Sequence, residues 1–216
     1  MANSGLPTPW FTLVPIADVI SGQITDMPYP VVVKPLTLSA SRGVIRVDNA
    51  EELYDAANRI RKILLTTECS GQASDHILVE DYIPGQEVAV EGMLDAGKLT
   101  VLALFDKPDP LVGPYFEETI YVTPSRLVDA DQKSISQTVH QAAAALGLRD
   151  GPIHTELRLR PGDPVVIDIA ARSIGGLCSR TLRFGAGIGL EELILRHALA
   201  LPIESFKRVR SAAGVM

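Results

Sequence analysis

Residues 153–159, IHTELRL, and residues 165–176, VVIDIAARSIGG, decide how this chain of 216 residues is read. Each is a strand-like apolar run that carries one carboxylate, Glu156 in the first and Asp168 in the second. Between them lies the turn-rich Arg160-Pro161-Gly162-Asp163-Pro164. A hairpin across that turn predicts Glu156 and Asp168 side by side on neighbouring strands. Two ionised carboxylates about 4 Å apart repel by roughly 4 kcal/mol at an effective dielectric of about 20. A bound cation removes that penalty, and hard oxygen ligands suit Mg²⁺, whose shell is usually completed by phosphates and water. The pair therefore points to a metal–nucleotide site. The competing reading is a surface hairpin with solvated acids.

Bulk composition bounds the alternatives. The length allows one sizeable core or two small lobes. A hydrophobic fraction of 46% and a mean hydropathy of +0.18 describe an ordinary folded globule. The net charge of −6 and the absence of a basic face speak against nucleic acid as a partner. No apolar run reaches the ~18 residues that span a bilayer, so no membrane partner is expected. The opening MANSGLPTPWF lacks the basic start and apolar core of a signal peptide. Cys69 and Cys178 are too few and too far apart for a metal knuckle or a disulfide framework, and both read as packing thiols. A cytoplasmic protein is expected. SGLPTPW reads as a helix end followed by a Pro-stiffened crossing, which predicts a part of a longer polypeptide or a truncated relative.

Working outward from the hairpin, the pattern is α+β in two lobes with a boundary at Ile83 to Gly85. Residues 1–21 read as the end of an N-terminal or linker region, 22–83 as a small lobe and 84–216 as a large lobe. TPWFTLVP (8–15) is a short strand, residues 16–28 are irregular or weakly helical, and in the small lobe β-branched VVVKP (31–35) is a buried strand. Val44–Val47 follows, then a helix capped by Asp48 or Asn49 with the apolar stripe Leu53, Ala56, Ala57, Ile60, Ile63 and Leu64. After a loop over 68–75, residues 77–83 form a strand. In the large lobe, 86–93 and 99–105 alternate as a hairpin across Asp95-Ala96-Gly97. Lys107–Pro114 is a Pro-rich loop, 119–122 a strand, 131–146 a helix and 190–200 the last helix.

Several residues could carry chemistry. A lysine ending a buried strand, as Lys34 does, needs a charge partner or solvent, and as a point charge it suits nucleotide phosphates. The loop Ser39-Ala40-Ser41-Arg42-Gly43 offers small residues, exposed N–H groups and one arginine, which fits a flap over phosphates; an ordinary turn would look similar. Glu80 and Asp81 close a strand at the lobe boundary, where main-chain groups could read an adenine edge, and Glu87 is placed to accept from ribose hydroxyls; a pair of solvated acids beside a turn would look similar. Arg172, four residues beyond Asp168, suits charge developing in phosphoryl transfer or a structural pairing with Asp168. His154 shares the face of Glu156, two residues away. The other histidines show no metal spacing.

Taken in order, VVVKP with its small-residue loop, ILVEDYIPGQEVAVEG, the Glu156 strand and VVIDIAARSIGG resemble the ATP-grasp superfamily. DKPDPLVGPYFEETIYVTPS is similar to its carboxylate–amine ligase branch, which includes L-amino-acid ligases; carboxyl transfer of the biotin carboxylase kind fits that loop less well. The resemblance runs from about Leu6 to Pro202. It implies the ATP-grasp fold, with nucleotide between two antiparallel sheets, and ATP with Mg²⁺ (or Mn²⁺ in its place). The implied reaction joins a small-molecule carboxylate to an amine through an acyl phosphate. Lys34 would contact the α/β-phosphates, Ser39 to Gly43 would be the flap, Glu80 to Ile83 the adenine hinge and Glu87 the ribose ligand. Glu156 and Asp168 would hold Mg²⁺, and Arg172 would stabilise the acyl phosphate. Lys107 and the loop to Phe116 would bear on substrate selection. Two departures stand out. Ala170 occupies a position where the family usually has a metal-binding asparagine. Family members also carry an N-terminal domain, with a further nucleotide-contacting lysine, ahead of the region where this chain begins. A nucleotide-binding module without catalysis of its own is therefore the alternative, and lobe edges exposed by a missing domain would encourage homodimers.

Overall fold

In the computed structural model, residues 5–68, 70–116, 120–160, 163–209 and 211–216 are described, and they divide into two units. The first takes residues 9–83 and 111–116. Its elements are β1 (Phe11–Pro15), α1 (Ile16–Ile20), β2 (Val31–Pro35), β3 (Ile45–Val47), α2 (Ala50–Leu64), the single turn α3 (Gln72–Asp75) and β4 (His76–Asp81). They build one four-stranded antiparallel sheet in the order β1-β4-β2-β3. Val31, Val33, Ile77 and Val79 on the sheet and Leu53, Ala57 and Ile60 on α2 are fully buried in one cluster. Asn49 caps α2 by accepting the Glu52 N–H at 3.0 Å, and Glu52 returns the favour at the Asp48 N–H, 2.8 Å. The strand expected within TPWFTLVP is β1, held along its length by β4.

Segment 111–116 was expected to belong with the large lobe. It lies against β3: Arg46 donates its backbone N–H to the Pro114 carbonyl at 2.8 Å and its Nη1 to the Val112 carbonyl at 2.9 Å. The Arg59 guanidinium lies 4.8 Å from the Tyr115 ring centroid.

The second unit takes residues 84–110 and 120–216 with the described residues before Pro9. It contains β5 (Gln86–Asp95), β6 (Lys98–Lys107), β7 (Tyr121–Thr123), α4 (Asp129–Ala145), β8 (Gly151–Arg160), β9 (Asp163–Ala170), β10 (Arg183–Phe184), β11 (Ile188–Gly189), α5 (Leu190–Ala198) and β12 (Ala213–Val215). Six strands form an antiparallel sheet in the order β12-β7-β6-β5-β8-β9. Period-two alternation sorts β5 between two cores. Val88 and Val90 join Ile135, Val139, Ala142 and Ala143 of α4. Ala89 and Met93 join Phe105, Leu182, Phe184 and Leu190 on the other face. No helix among the described residues is long and apolar enough to cross a membrane. Cys178 is buried, while Cys69 lies outside the described residues.

Candidate active site

The hairpin does set Glu156 opposite Asp168, but not by simple counting. From the turn, β8 and β9 pair Arg160 with Asp163 and Leu157 with Val166. Continuing that ladder would put Ile167, not Asp168, opposite Glu156. The register shifts between Glu156 and Leu157, which leaves Ile167 as the extra residue and turns Asp168 onto the face of Glu156.

That face is the one bearing Ala89, and it carries a row of charges where the strands cross. Glu87 of β5 pairs in register with Lys107 on β6 and with Arg158 on β8. Ala89 pairs with Glu156, and Glu91 with His154. Lys107 is 2% exposed at its side chain and donates from Nζ to Glu87 Oε1 at 2.5 Å and to Glu156 Oε1 at 2.6 Å. Arg158 Nη2 takes the other oxygen of Glu87 at 2.7 Å. The Tyr121 ring, with its hydroxyl 3.4 Å from Glu156 Oε1, lies 4.9 Å from Lys107 Nζ. Burial alone would raise the Glu156 carboxyl, but His154 and Lys107 hold it well below the usual carboxylate range. For His154, burial opposes the charged ring; Glu156 and Glu91, 3.6 and 3.4 Å away, outweigh it and push the group up to about 9. Glu91 is completely buried, and burial raises its carboxyl despite His154, the Ile174 N–H and Arg172.

Three expectations change here. Lys107 was read as the start of a loop that selects substrate, yet it ends β6 and is the cation at the centre of the network. Glu87 was read as placed to accept from ribose hydroxyls. Its carboxylate is 6% exposed and already bound on both oxygens, so a hydroxyl could use only the remaining lone pairs. Arg172 donates from Nη1 to the adjacent Ser173 carbonyl at 2.8 Å rather than pairing with Asp168. Sequence reasoning missed Arg158, Glu91 and Tyr121. Charges at every second position of buried strands (Glu87 and Glu91; His154, Glu156 and Arg158) were the available signal.

Among the described residues no three potential ligands cluster tightly enough to hold a metal unaided. What the hairpin offers is two adjacent hard carboxylates, with Asp168 exposed and Ala170 contributing no oxygen. That donor set fits Mg²⁺, which takes one or two carboxylates and fills its shell with water and phosphate.

The other group of expected residues lies in the first unit. Lys34 pairs with Glu80 at 2.5 Å, one strand across, with both side chains partly exposed. In the loop after β2, Ala40, Ser41 and Gly43 all have positive φ, at 56, 54 and 80°. Arg42 is exposed in this loop, and its backbone N–H donates to the Ser39 carbonyl at 3.3 Å. At the hinge, the Asp81 and Tyr82 N–H groups donate to the Trp10 and Pro30 carbonyls, and the Asp81 carboxylate accepts the Trp10 N–H. Tyr82 lies under the Arg46 guanidinium, 4.2 Å from its ring centroid. Of the hinge groups expected to read adenine, these two N–H donors are therefore already committed, whereas the buried Ile83 makes no such backbone bond among the described residues.

With this geometry in hand, the chain was compared with known proteins. Residues 27–181 match the ATP-grasp domain family. Alanine–anticapsin ligase of Bacillus subtilis (strain 168) is 26% identical over 181 residues, covering 77% of this chain and 38% of the ligase. D-Alanine–D-alanine ligase of Hydrogenovibrio crunogenus is 30% identical over 67% of this chain and 44% of that enzyme. Among solved structures, L-amino acid ligase from Bacillus licheniformis superposes with a TM-score of 0.75 at 31% identity, covering 99% of this chain and 50% of that one. Biotin carboxylase from Campylobacter jejuni, at 19% identity and a TM-score of 0.72, shares the fold. The chain thus spans half or less of the length of each of these relatives.

Proposed function

Because this chain belongs to the ATP-grasp family, we propose that it supplies the nucleotide-binding and phosphoryl-transfer part of an ATP-dependent carboxylate–amine ligase. The observation that carries this reading is the bulged hairpin pairing Glu156 with Asp168 beside Lys107, inside the family-matched segment. In the proposed reaction a substrate carboxylate oxygen attacks the γ-phosphorus of ATP, and ADP leaves. An amine then attacks the acyl phosphate, forming the amide and releasing phosphate and a proton.

The chain's own part is positioning and charge neutralisation. Lys34 offers its ammonium to the α/β-phosphates, exchanging Glu80 for a stronger anion. Loop 39–43 covers the phosphates with backbone N–H groups and Arg42. The main chain of Glu80, Asp81, Tyr82 and Ile83 borders the adenine, and Glu87 accepts from ribose beside its existing cations. Glu156, held ionised at neutral pH, and Asp168 would hold Mg²⁺, or Mn²⁺ in its place. When bound, that ion neutralises phosphate charge. Arg172 faces the charge that develops on the transferring group, and Lys107 adds a second fixed cation.

The test is thermal unfolding with and without millimolar Mg-ATP, beside Lys34→Ala and Glu156→Gln. Ligand at about a hundred times its dissociation constant stabilises by roughly 2.7 kcal/mol. A shift that requires Mg²⁺ and disappears in both variants is expected. No shift in the wild-type chain would overturn the reading. A second reading, a nucleotide-binding subunit without catalysis of its own, draws on Ala170, which stands opposite His154 with no ligand oxygen. It predicts the same shift but no ADP release with any carboxylate and amine after the chain is joined to an N-terminal domain of a relative.

A further inference from the structure

Glu91 is a buried carboxylate whose hydrogen bonding is incomplete, even with His154 beside it. It is completely buried, Oε2 accepts the backbone N–H of Ile174 at 2.9 Å, and Oε1 has no hydrogen-bond partner among the described residues. The nearest cation, His154 Nδ1, is 3.4 Å away without bonding geometry. A half-satisfied buried carboxylate is a poor way to stabilise a sheet, since an apolar side chain of equal length would fill the same space without the desolvation cost. Its neighbours Met93, Ala103 and Ile174 belong to an apolar cluster that would accept one.

The N–H that Glu91 holds lies 83 residues away in the chain, inside the segment that follows β9. That segment has few other anchors. Arg172, Gly175 and Gly176 are exposed, a Cβ built on either glycine would meet nothing within 4 Å, and Gly176 has φ of +64°. Among the described residues Arg172 bonds to its neighbour's carbonyl alone, yet it is close enough for its charge to be felt at Glu91. Among the described residues two attachments hold the turn to the sheet: the buried Ile174 side chain, 6% exposed, and the hydrogen bond to Glu91.

We propose that Glu91 is a positioning residue: by accepting the Ile174 N–H it fixes segment 171–176 and aims the Arg172 guanidinium at the transferring phosphoryl group. The aiming half rests on the ligase reading above; the tether does not. The variants are E91M, which keeps length and removes the acceptor, and E91Q, whose amide carbonyl can still accept the same N–H. Two readouts need no substrate. Hydrogen exchange at the Ile174 amide should quicken by about tenfold or more in E91M, the factor expected for loss of one charge-assisted bond, and stay near wild type in E91Q. Trypsin should cleave after Arg172 faster in E91M and at the wild-type rate in E91Q.

The third readout uses Mg-ADP with and without fluoroaluminate, a mimic of the phosphoryl in flight. Wild type and E91Q should gain extra thermal stabilisation from fluoroaluminate. E91M should keep the Mg-ADP shift and lose that extra gain, as R172A does. Unchanged Ile174 exchange in E91M overturns the tether, and an undiminished fluoroaluminate gain overturns the aiming role. If wild type binds no Mg-ADP, the ligase reading fails, and the exchange experiment alone decides the tether.

Discussion

Replacing Lys107 by methionine is the sharpest test of the charge network. The side chain keeps its length, so packing against Tyr121 changes little, but Glu87 and Glu156 lose the ammonium they share. Removing one partner of a buried ion pair costs about 3–5 kcal/mol, because the other charge stays behind in a poor solvent. Here the lower end applies. Arg158 still holds Glu87 at 2.7 Å, and His154 remains 3.6 Å from Glu156. For a chain of this size each kcal/mol moves the melting temperature by roughly 2–4 °C, so Lys107→Met should melt about 6–12 °C lower.

The pH dependence separates lost charge from lost packing. In the fold Glu156 titrates well below its ordinary 4.5, so its pairing adds stability that is present above about pH 4.5 and drains away as pH falls toward the folded value. Without Lys107, His154 still holds the carboxyl down, but part of the depression is gone and less remains to be lost. The wild-type and Lys107→Met stabilities should therefore converge on acidification, read as urea midpoints at neutral pH and at several points below about pH 4. A destabilisation under about 1 kcal/mol would refute the reasoning. So would a gap that does not narrow in acid.

Two further outcomes follow from single residues. At Gly85, φ is +121° and a Cβ would lie 2.2 Å from the Leu159 carbonyl oxygen, so Gly85→Ala should cost about 3 kcal/mol or more, measured by urea denaturation. For His154 the folded pKa is raised from 6.5 to about 9, so its stabilisation is complete below about pH 6.5 and is lost as pH rises through about 9. That loss amounts to at most about 3 kcal/mol, and His154→Gln should flatten it in the same assay.

What the sequence could not show is instructive in physical terms. Strand alternation and the turn at 160–164 were enough to read the β8–β9 hairpin, because both signals are local. The bulge at Ile167 is not local. Only the competing demands of Val166 for the α4 core and Asp168 for the charged face fix where the ladder slips. The reading of β6 stopped at Phe105, since Asp106 and Lys107 look like the onset of a polar loop. The strand continues because the cost of burying Lys107 is offset by acids 20 and 49 residues away. Segment 111–116 was misplaced for the same reason, its partner Arg46 being 66 residues from Val112. Periodicity reports which face is apolar. It cannot report which charges will meet.

The network also decides which substitution can isolate function from folding. Lys107 keeps Glu156 ionised and fixed before any ligand arrives, so the orienting cost is met in folding and not at binding. Any change at Lys107 must then disturb stability and ligand binding together. Glu156→Gln is different: its amide oxygen can still accept from Lys107 Nζ, the side-chain volume is kept, and one negative charge is removed from a cluster whose cations Arg158 and Lys107 remain bound to Glu87. The variant should stay folded, melting within a few degrees of wild type, while its Mg-ATP shift disappears. If Glu156→Gln instead melted as low as Lys107→Met, Glu156 would be a structural counterion first, and the pairing with Asp168 would lose its claim to be a metal site.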